Sequence, residues 1–506
     1  MKKPRRASRC AIITTSSTPP SPRRRGLELL LVVGAFFIFM TFMRYSLPVL
    51  AWVAFAPFLV AVFKDGTLRR HGAVLLTLVI AFIVTVSKMA TAEIPWIPVP
   101  MFAIPLAVAY FAAVALAGAA YRRLGPRWAI YTFAAMAVAL SWVQYTFTPG
   151  SGWGALAHTQ LDNLALMQLA ALTGIGGISF LVALGSGLAA TAWTGDFRAV
   201  RTDLAVAAAL LGVTLVYGEL RLGNAAPGKT VRVGGVVSPV THEEFRAAYA
   251  NVDTLRGLDD ALFARTARAA DLGAKVVVWN EMATVVSMQS ESALVARGQA
   301  FARQRQVLLL MAYGVVESMH PFHDINKYRL YLPDGTLADE YIKRHPVPGD
   351  PDAAGTAHAR VVTLDGVSYT GAICYDYGFP GIGRDNARDG GGLALVPSSD
   401  WRGIDPEHGR MALLNAVAVG LPMVRPVRGA TSIVSDQFGR LLGSMRFDGA
   451  GDGVLVVAVP SQRVPTLYAR TGELVPLLAL TFCVVVALRL LWALVATGAP
   501  SHRKMT

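Results

Sequence analysis

The sequence predicts a multi-span α-helical membrane domain, an α/β domain behind it, and one closing span. Three observations predict this. Hydrophobic residues make up 54% of the 506 and charged residues only 16%, well under the roughly 25% of soluble domains. Mean hydropathy is +0.45, so lipid must solvate part of the apolar surface. The long apolar runs lie before residue 221 and after residue 473, and between them short β-branched runs alternate with helical stretches.

Residues 1–25, with "MKKPRRASRC" and "SPRRR", form a basic tail. A spanning helix needs about 20 mainly apolar residues. Candidates are 27–43, 47–63, 72–89, 99–120, 128–147, 174–193 and 204–220 within a membrane domain of 26–221, and 474–497 at the end. "LALMQLAALTGIG", ahead of the sixth, reads as a separate interfacial or half-buried helix. The first run has a basic flank but no small-residue cleavage site, and another span follows at once, so it is expected to stay as an anchor. "KDGTLRRH" (64–71), "YRRLGPR" (121–127) and "TGDFRAVRTD" (194–203) carry Lys or Arg, as does the final "SHRK", whereas the alternate loops 90–98 and 148–163 carry none. By the positive-inside rule the basic tail, these loops and the C-terminal tail (473–506 with its span) are cytoplasmic. Residues 222–472 then lie on the far side of the membrane. The net charge of +14 resides in these segments, and its scatter between apolar runs argues against a nucleic-acid groove.

Within 222–472, strand candidates are 231–237, 275–281, 306–316, 327–335, 369–376, 393–399, 429–436 and 453–460. Helical spacing marks 251–273, "SESALVARGQAFARQRQ" and 406–420; the last begins with Pro and ends with Gly, matching helix-end preferences. Strands alternating with helices imply buried sheets covered by helices.

Three strand ends carry polar residues: an apolar run ends at Glu281, Lys343 follows a short strand, and "AICYDYG" carries Cys374. A rigid sheet aims such residues into a crevice. A carboxylate in an apolar pocket can take a thiol proton, the thiolate can attack a carbonyl, and an ammonium can stabilise the oxyanion. The three make a plausible acyl-transfer set, and on spacing alone a Glu281–Lys343 ion pair of purely structural role is an equal reading. Of the other cysteines, Cys10 is in the tail and Cys483 in the last span, so no disulfide framework exists in the polar domain.

Glu281, Lys343 and Cys374, each in its local stretch, resemble the Glu–Lys–Cys triad of the nitrilase (carbon–nitrogen hydrolase) superfamily. "YIKRHPVP" resembles its Tyr-x-Lys-x-His-x-x-Pro signature, and "SSDW…HGRMALLNAVAVGLPMVRPVRGATSIV" the segment that follows its nucleophile. With "PVLAWVAFAPFLVAV" (48–62), residues 152–184, and seven spans before and one after, the chain resembles the apolipoprotein N-acyltransferase family along nearly its whole length. The resemblance implies a nitrilase-like αββα sandwich and transfer of an acyl chain from a membrane phospholipid, through a thioester on Cys374, to the N-terminal amine of a diacylglyceryl-cysteine lipoprotein. Glu281 would be the base and then the acid, and Lys343 would hold the oxyanion. It also implies supporting roles for Tyr375, Asp376, Asp350, His345 and Trp401. A single copy is the expected unit, with no metal, cofactor or nucleic acid.

Four departures from the family pattern cluster near the site. Asn280 stands where Pro is usual, and Asp376 where Glu is usual. "GDPD" is one residue short, with Asp350 in place of a glutamate, and "SSDW" is one short as well. Rival readings are a membrane-tethered amidase-like hydrolase, and a non-enzymatic scaffold or transporter. His320, His323, His358 and His408 lack metal-ligand spacing. Arg489 reads as a snorkelling arginine, and Gln160 and Asp162 as interfacial polar residues.

Overall fold

A computed structural model describes residues 22–92, 94, 99–195, 197–226, 228–241, 244, 256–320, 322–350, 352–447, 449 and 451–498. The basic tails, Trp96 of "WIPVP" and the start of the 251–273 helix lie outside them.

Among the described residues, six helices are long and apolar enough to cross a membrane: Leu68–Met89, Val99–Leu124, Pro126–Phe147, Ile175–Trp193, Phe197–Leu222 and Leu474–Val495. They carry exposed Leu, Val and Ile, as at Leu76, Val213, Leu220 and Leu488, the pattern of side chains meant for lipid rather than water. Of the two N-terminal runs, the first is the helix Pro22–Thr41, 20 residues long, where the sequence predicts a span over 27–43; the second, Pro48–Lys64, is under 18 residues. The second is broken: a 3₁₀ turn, Pro48–Trp52, precedes the helix Ala56–Lys64. The predicted interfacial helix is two single turns, Leu164–Met167 and Ala170–Thr173, packed inside the assembly rather than half-exposed.

The basic loops share one end of the bundle. There Arg122 Nη1 donates to the Val62 carbonyl at 2.7 Å, and the Tyr121 hydroxyl meets Thr194 Oγ1 at 3.2 Å. The α/β domain sits on the opposite end. Trp401 Nε1 donates to Met89 O (2.8 Å), Tyr375 OH to Pro149 O (2.9 Å) and Gln168 Nε2 to Phe438 O (2.8 Å). Glu473, at the foot of the last helix, accepts from Tyr145 OH, Tyr468 OH and Arg384 Nη1 at 2.7, 2.9 and 2.6 Å. That one carboxylate ties two membrane helices to the helix Pro380–Arg388.

The polar domain is an αββα sandwich. One seven-stranded sheet runs Val454–Pro460, Thr230–Val236, Val276–Trp279, Leu308–Met319, Phe322–Tyr331, Leu337–Ile342, with Val285–Ser287 beside Leu308–Met319. The other, six-stranded, runs Leu441–Arg446, Thr431–Ser435, Met423–Arg425, Leu393–Leu395, Val367–Gly371, Val362–Leu364. Side chains alternate across a strand. Val276, Val278, Leu308 and Leu310 therefore join the cluster holding Leu393, Leu395 and Val424 of the facing sheet. Val277, Trp279, Leu309 and Met311 turn the other way, onto Leu262, Phe263, Leu294 and Ala302 of the helices Arg256–Asp271 and Glu291–Arg305. The continuous apolar runs in the sequence are what strands buried on both faces require.

Candidate active site

Glu281 and Lys343 come from one sheet and Cys374 from the other. Val276–Trp279 ends two residues before Glu281, whose N–H donates to Ser398 O of the facing layer at 3.2 Å. Asn280 uses the freedom that a proline would lack: its Nδ2 donates to Glu281 O at 2.7 Å and its Oδ1 accepts from Ser238 N at 2.7 Å. Lys343 follows the edge strand Leu337–Ile342, and its N–H bonds Asn326 O at 2.9 Å. Cys374 opens a 3₁₀ turn, Cys374–Gly378, just past the strand Val367–Gly371. Its φ is +46°, a left-handed conformation that costs a non-glycine residue on the order of 1–3 kcal/mol. Its N–H is held by Pro397 O at 2.9 Å.

Lys343 Nζ lies 2.9 Å from Glu281 Oε1, and that oxygen also accepts from Asn326 Nδ2 at 2.8 Å. Asp352 Oδ2 stands 3.7 Å from Nζ on the other side. Both members of the pair and Cys374 are buried. Burial alone would lower the Lys343 ammonium, but Glu281 and Asp352 outweigh it and hold it well above its ordinary range. The Cys374 thiol is pushed well above its usual value by burial, then by Glu281 and Asp400, with Arg425 and Lys343 pulling the other way. The resting sulfur is thus a neutral thiol, which needs a base before it can attack.

Behind the sulfur lies a group that the sequence reading did not assemble. Cys374 Sγ donates toward Asp400 Oδ1 (3.6 Å) and Ser399 O (3.7 Å). Asp400 also receives His408 Nδ1 at 2.8 Å and Arg425 Nη2 at 2.9 and 3.1 Å. Against a large burial penalty, Arg425 and His408 keep the Asp400 carboxyl well below the carboxylate range. Donor atoms of Cys374, Asp400 and His408 lie within 4.8 Å of one another, a spacing that can hold a metal ion. The Arg425 guanidinium bonds both Asp400 oxygens, so an added cation there would face a fixed positive charge. The group reads as an ion-pair network. Asp400 lies within the quoted "SSDW", but His408 and Arg425 come from a helix and a strand further along, and nothing in local spacing marks them as neighbours of the sulfur.

The other expected residues divide. Asp376, fully buried, accepts from Tyr341 OH (2.8 Å), His345 N (2.8 Å), His345 Nδ1 (2.8 Å) and Arg344 N (3.3 Å). It fastens the lysine-bearing segment to the turn that carries Cys374. His345 also stacks on Phe379 at 4.0 Å. Tyr375 faces the membrane domain through its bond to Pro149. Trp401 donates its indole N–H to Met89 O of the membrane part. Asp350 shares the pocket's field, its carboxyl raised to about 6 by burial although Lys343 opposes the rise; the loop carboxylate that bonds Asn326 and flanks Lys343 is Asp352. Gln160 latches Pro48 O and Trp52, Asp162 pairs with Arg410, and Arg489 covers the Trp128 ring at 4.7 Å.

Residues 34–188 match the family model described as apolipoprotein N-acyltransferase N-terminal domain, and 244–467 that of carbon-nitrogen hydrolase. The chain is 24% identical over 432 residues to an apolipoprotein N-acyltransferase of Bradyrhizobium diazoefficiens, covering 78% of this chain and 79% of that one. It is 26% identical over 476 residues to one of Geobacter metallireducens, covering 83% and 87%. Among solved structures, an amidase from Nesterenkonia sp. aligns with 49% of this chain and 95% of its own, at 23% identity and a TM-score of 0.37.

Proposed function

Because this chain belongs to the apolipoprotein N-acyltransferase family, we propose that it carries a fatty acyl chain from a membrane phospholipid to the N-terminal amine of a diacylglyceryl-cysteine lipoprotein, by way of a thioester on Cys374. Glu281 takes the thiol proton. The Cys374 sulfur attacks the donor's ester carbonyl carbon, and the oxyanion that forms is stabilised by the Lys343 ammonium. As the carbon–oxygen bond breaks, Glu281 returns the proton to the departing lysophospholipid oxygen. The acceptor amine then attacks the thioester carbonyl and gives its proton to Glu281. The carbon–sulfur bond breaks, the proton returns to sulfur, and the amide product leaves.

The observation that carries this reading is the buried Glu281–Lys343 pair, 2.9 Å apart, whose charges act on a buried Cys374 thiol that burial keeps neutral. A base beside a protonated nucleophile is what the first step needs. Asp376, His345 and Tyr375 serve as positioning residues around the turn. The basic loops gather at the end of the bundle away from the site. With that end in the cytoplasm of a bacterial cell, the site opens at the outer face of the inner membrane, where both lipid substrates are anchored. Tethering the site there supplies the proximity that dilute lipid substrates lack.

The test is intact-mass analysis of the full chain after exposure to phospholipid. Wild type should gain one acyl-sized adduct, and Cys374→Ala none. Adding a diacylated cysteine peptide should discharge the adduct as acylated peptide. Release of free fatty acid alone would favour the amidase-like hydrolase, and an unreactive Cys374 the scaffold.

A further inference from the structure

A second polar cavity, of about 290 Å³, lies where the membrane helices meet the α/β domain. The segment Met43–Ser46 forms one wall. His158 and Asp162 form another, and the start of the helix Glu407–Val419 with Arg446 forms the third. Its charges do not cancel locally. Arg410 pairs with Asp162, and Arg446 stands 3.4 Å from Asp405. Arg44 has no carboxylate partner among the described residues; its guanidinium rests on the Tyr45 ring at 4.8 Å. His158 is only 6% exposed, and neither ring nitrogen makes a hydrogen bond of normal geometry among the described residues, the Gly152 carbonyl being a loose neighbour. Burial lowers the His158 imidazole to about 4 and raises the Glu407 carboxyl to about 8. Among the described lining residues Arg44 is the cation without a carboxylate, and Lys88, which bonds Phe39 O and Phe42 O and interacts with Glu407, adds positive charge behind the lining; cations beside neutral donors suit a phosphate-type anion.

Two further facts describe the occupant. The loops 90–98 and 148–174 at this end of the bundle carry no Lys or Arg, and Lys88, in the turn Ser87–Met89, is tied to Phe39 O and Phe42 O; Arg44 lies in the short link between the first two apolar runs. Its neighbours Met43 and Tyr45 both adopt left-handed φ, 62° and 57°, so the chain holds an unfavourable conformation on each side of it. Beside the cavity, Tyr45, Leu47 and Val49 are 77%, 47% and 73% exposed, an apolar collar next to a cationic recess.

We propose that this cavity holds the phosphodiester of a glycerophospholipid, with Arg44 on the phosphate and the collar of Tyr45, Leu47 and Val49 against the acyl chains. It rests on the reading above only in placing phospholipid at this end of the bundle, and binding here needs no turnover. The Asp400 network links the two places in the fold: Glu407 precedes His408, a member of the group within 4.8 Å of the Cys374 sulfur.

Native mass spectrometry of the full chain in detergent micelles tests it, with dioleoyl phosphatidylglycerol, dioleoylglycerol and water-soluble glycerophosphoglycerol as probes. Wild type should retain the phospholipid in preference to the diacylglycerol. Arg44→Gln should weaken phospholipid retention at least tenfold without changing that of the diacylglycerol, and Arg44→Lys, which keeps the charge, should retain most of it. Equal phospholipid retention by wild type and a folded Arg44→Gln overturns the site. Displacement by glycerophosphoglycerol at equal concentration overturns the lipid assignment, because the cavity would then read the free phosphodiester alone. The acyl adduct on Cys374, followed in the same spectra, reports on acyl transfer separately: its absence in wild type would break that reading and leave the Arg44 comparison intact.

Discussion

Glu281 and Lys343 are a buried ion pair, and such pairs give little net stability because each charge loses its hydration. The proposed acyl transfer gives this pair a role that stability does not. Glu281→Gln keeps the shape and can still accept from Asn326, but it cannot take a proton. It should slow formation of the Cys374 acyl adduct by about 10²–10⁴-fold, read from the time course of adduct mass. Glu407 gives a stability signature. Burial raises its carboxyl from 4.5 to about 8, with Asp162 adding to the rise and Arg410 and Lys88 opposing it. The folded chain therefore binds more protons than the unfolded one between those values, so stability is full below about 4.5 and declines as pH rises toward 8. Glu407→Gln should flatten that decline, seen as a Tm that changes less between pH 5 and 8 in detergent. An unchanged slope would show that Glu407 does not hold its proton.

At the scale of elements, the nucleophile turn depends on neighbours far along the chain. Cys374–Gly378 is pinned by Asp376 to the segment 341–345 and by Gly378 to the membrane-side loop, where a Cβ on Gly378 would meet Ser151 Oγ at 2.4 Å. Asp376→Asn leaves one oxygen for contacts that now share two. We expect a loss of about 1–3 kcal/mol in stability and at least a tenfold slower acyl adduct, measured by thermal unfolding and intact mass on the same sample. The helix Glu407–Val419 shows how local signals and tertiary need agree. Gly420 follows it at φ +70°, where an added Cβ would meet Val464 O at 2.0 Å. The Gly that marks the helix end in the sequence is thus required both by backbone handedness and by close approach.

Across the whole molecule, the α/β domain is docked on the helical bundle by bonds that no local pattern announces. Gly403 is one hinge of that docking, since a Cβ there would meet Met89 O at 1.9 Å, the same carbonyl that receives the Trp401 indole. Gly403→Ala should lower Tm and slow acylation of Cys374 from phospholipid vesicles, while alkylation of Cys374 by a small water-soluble reagent proceeds at the wild-type rate. A parallel loss in both reactions would mean that the substitution damages the pocket itself rather than the docking. Trp401, expected near the site, is spent on this junction.

The sequence by itself determined the membrane and α/β parts, most of the strands and three helices, because apolar periodicity and helix-end residues are local and survive without context. Glu281 and Cys374 stood out because each closes an apolar run, and Lys343 because it follows a short strand. What only the tertiary structure decided is which residues face that sulfur. Asp400, His408 and Arg425 meet across a turn, a helix and a strand, and Asp352 rather than Asp350 bonds Asn326 beside Lys343. The brevity of the second apolar helix was likewise hidden, since composition counts apolar residues and does not register a broken backbone. Side-chain convergence depends on how sheets stack and loops fold back, and linear spacing carries no record of either.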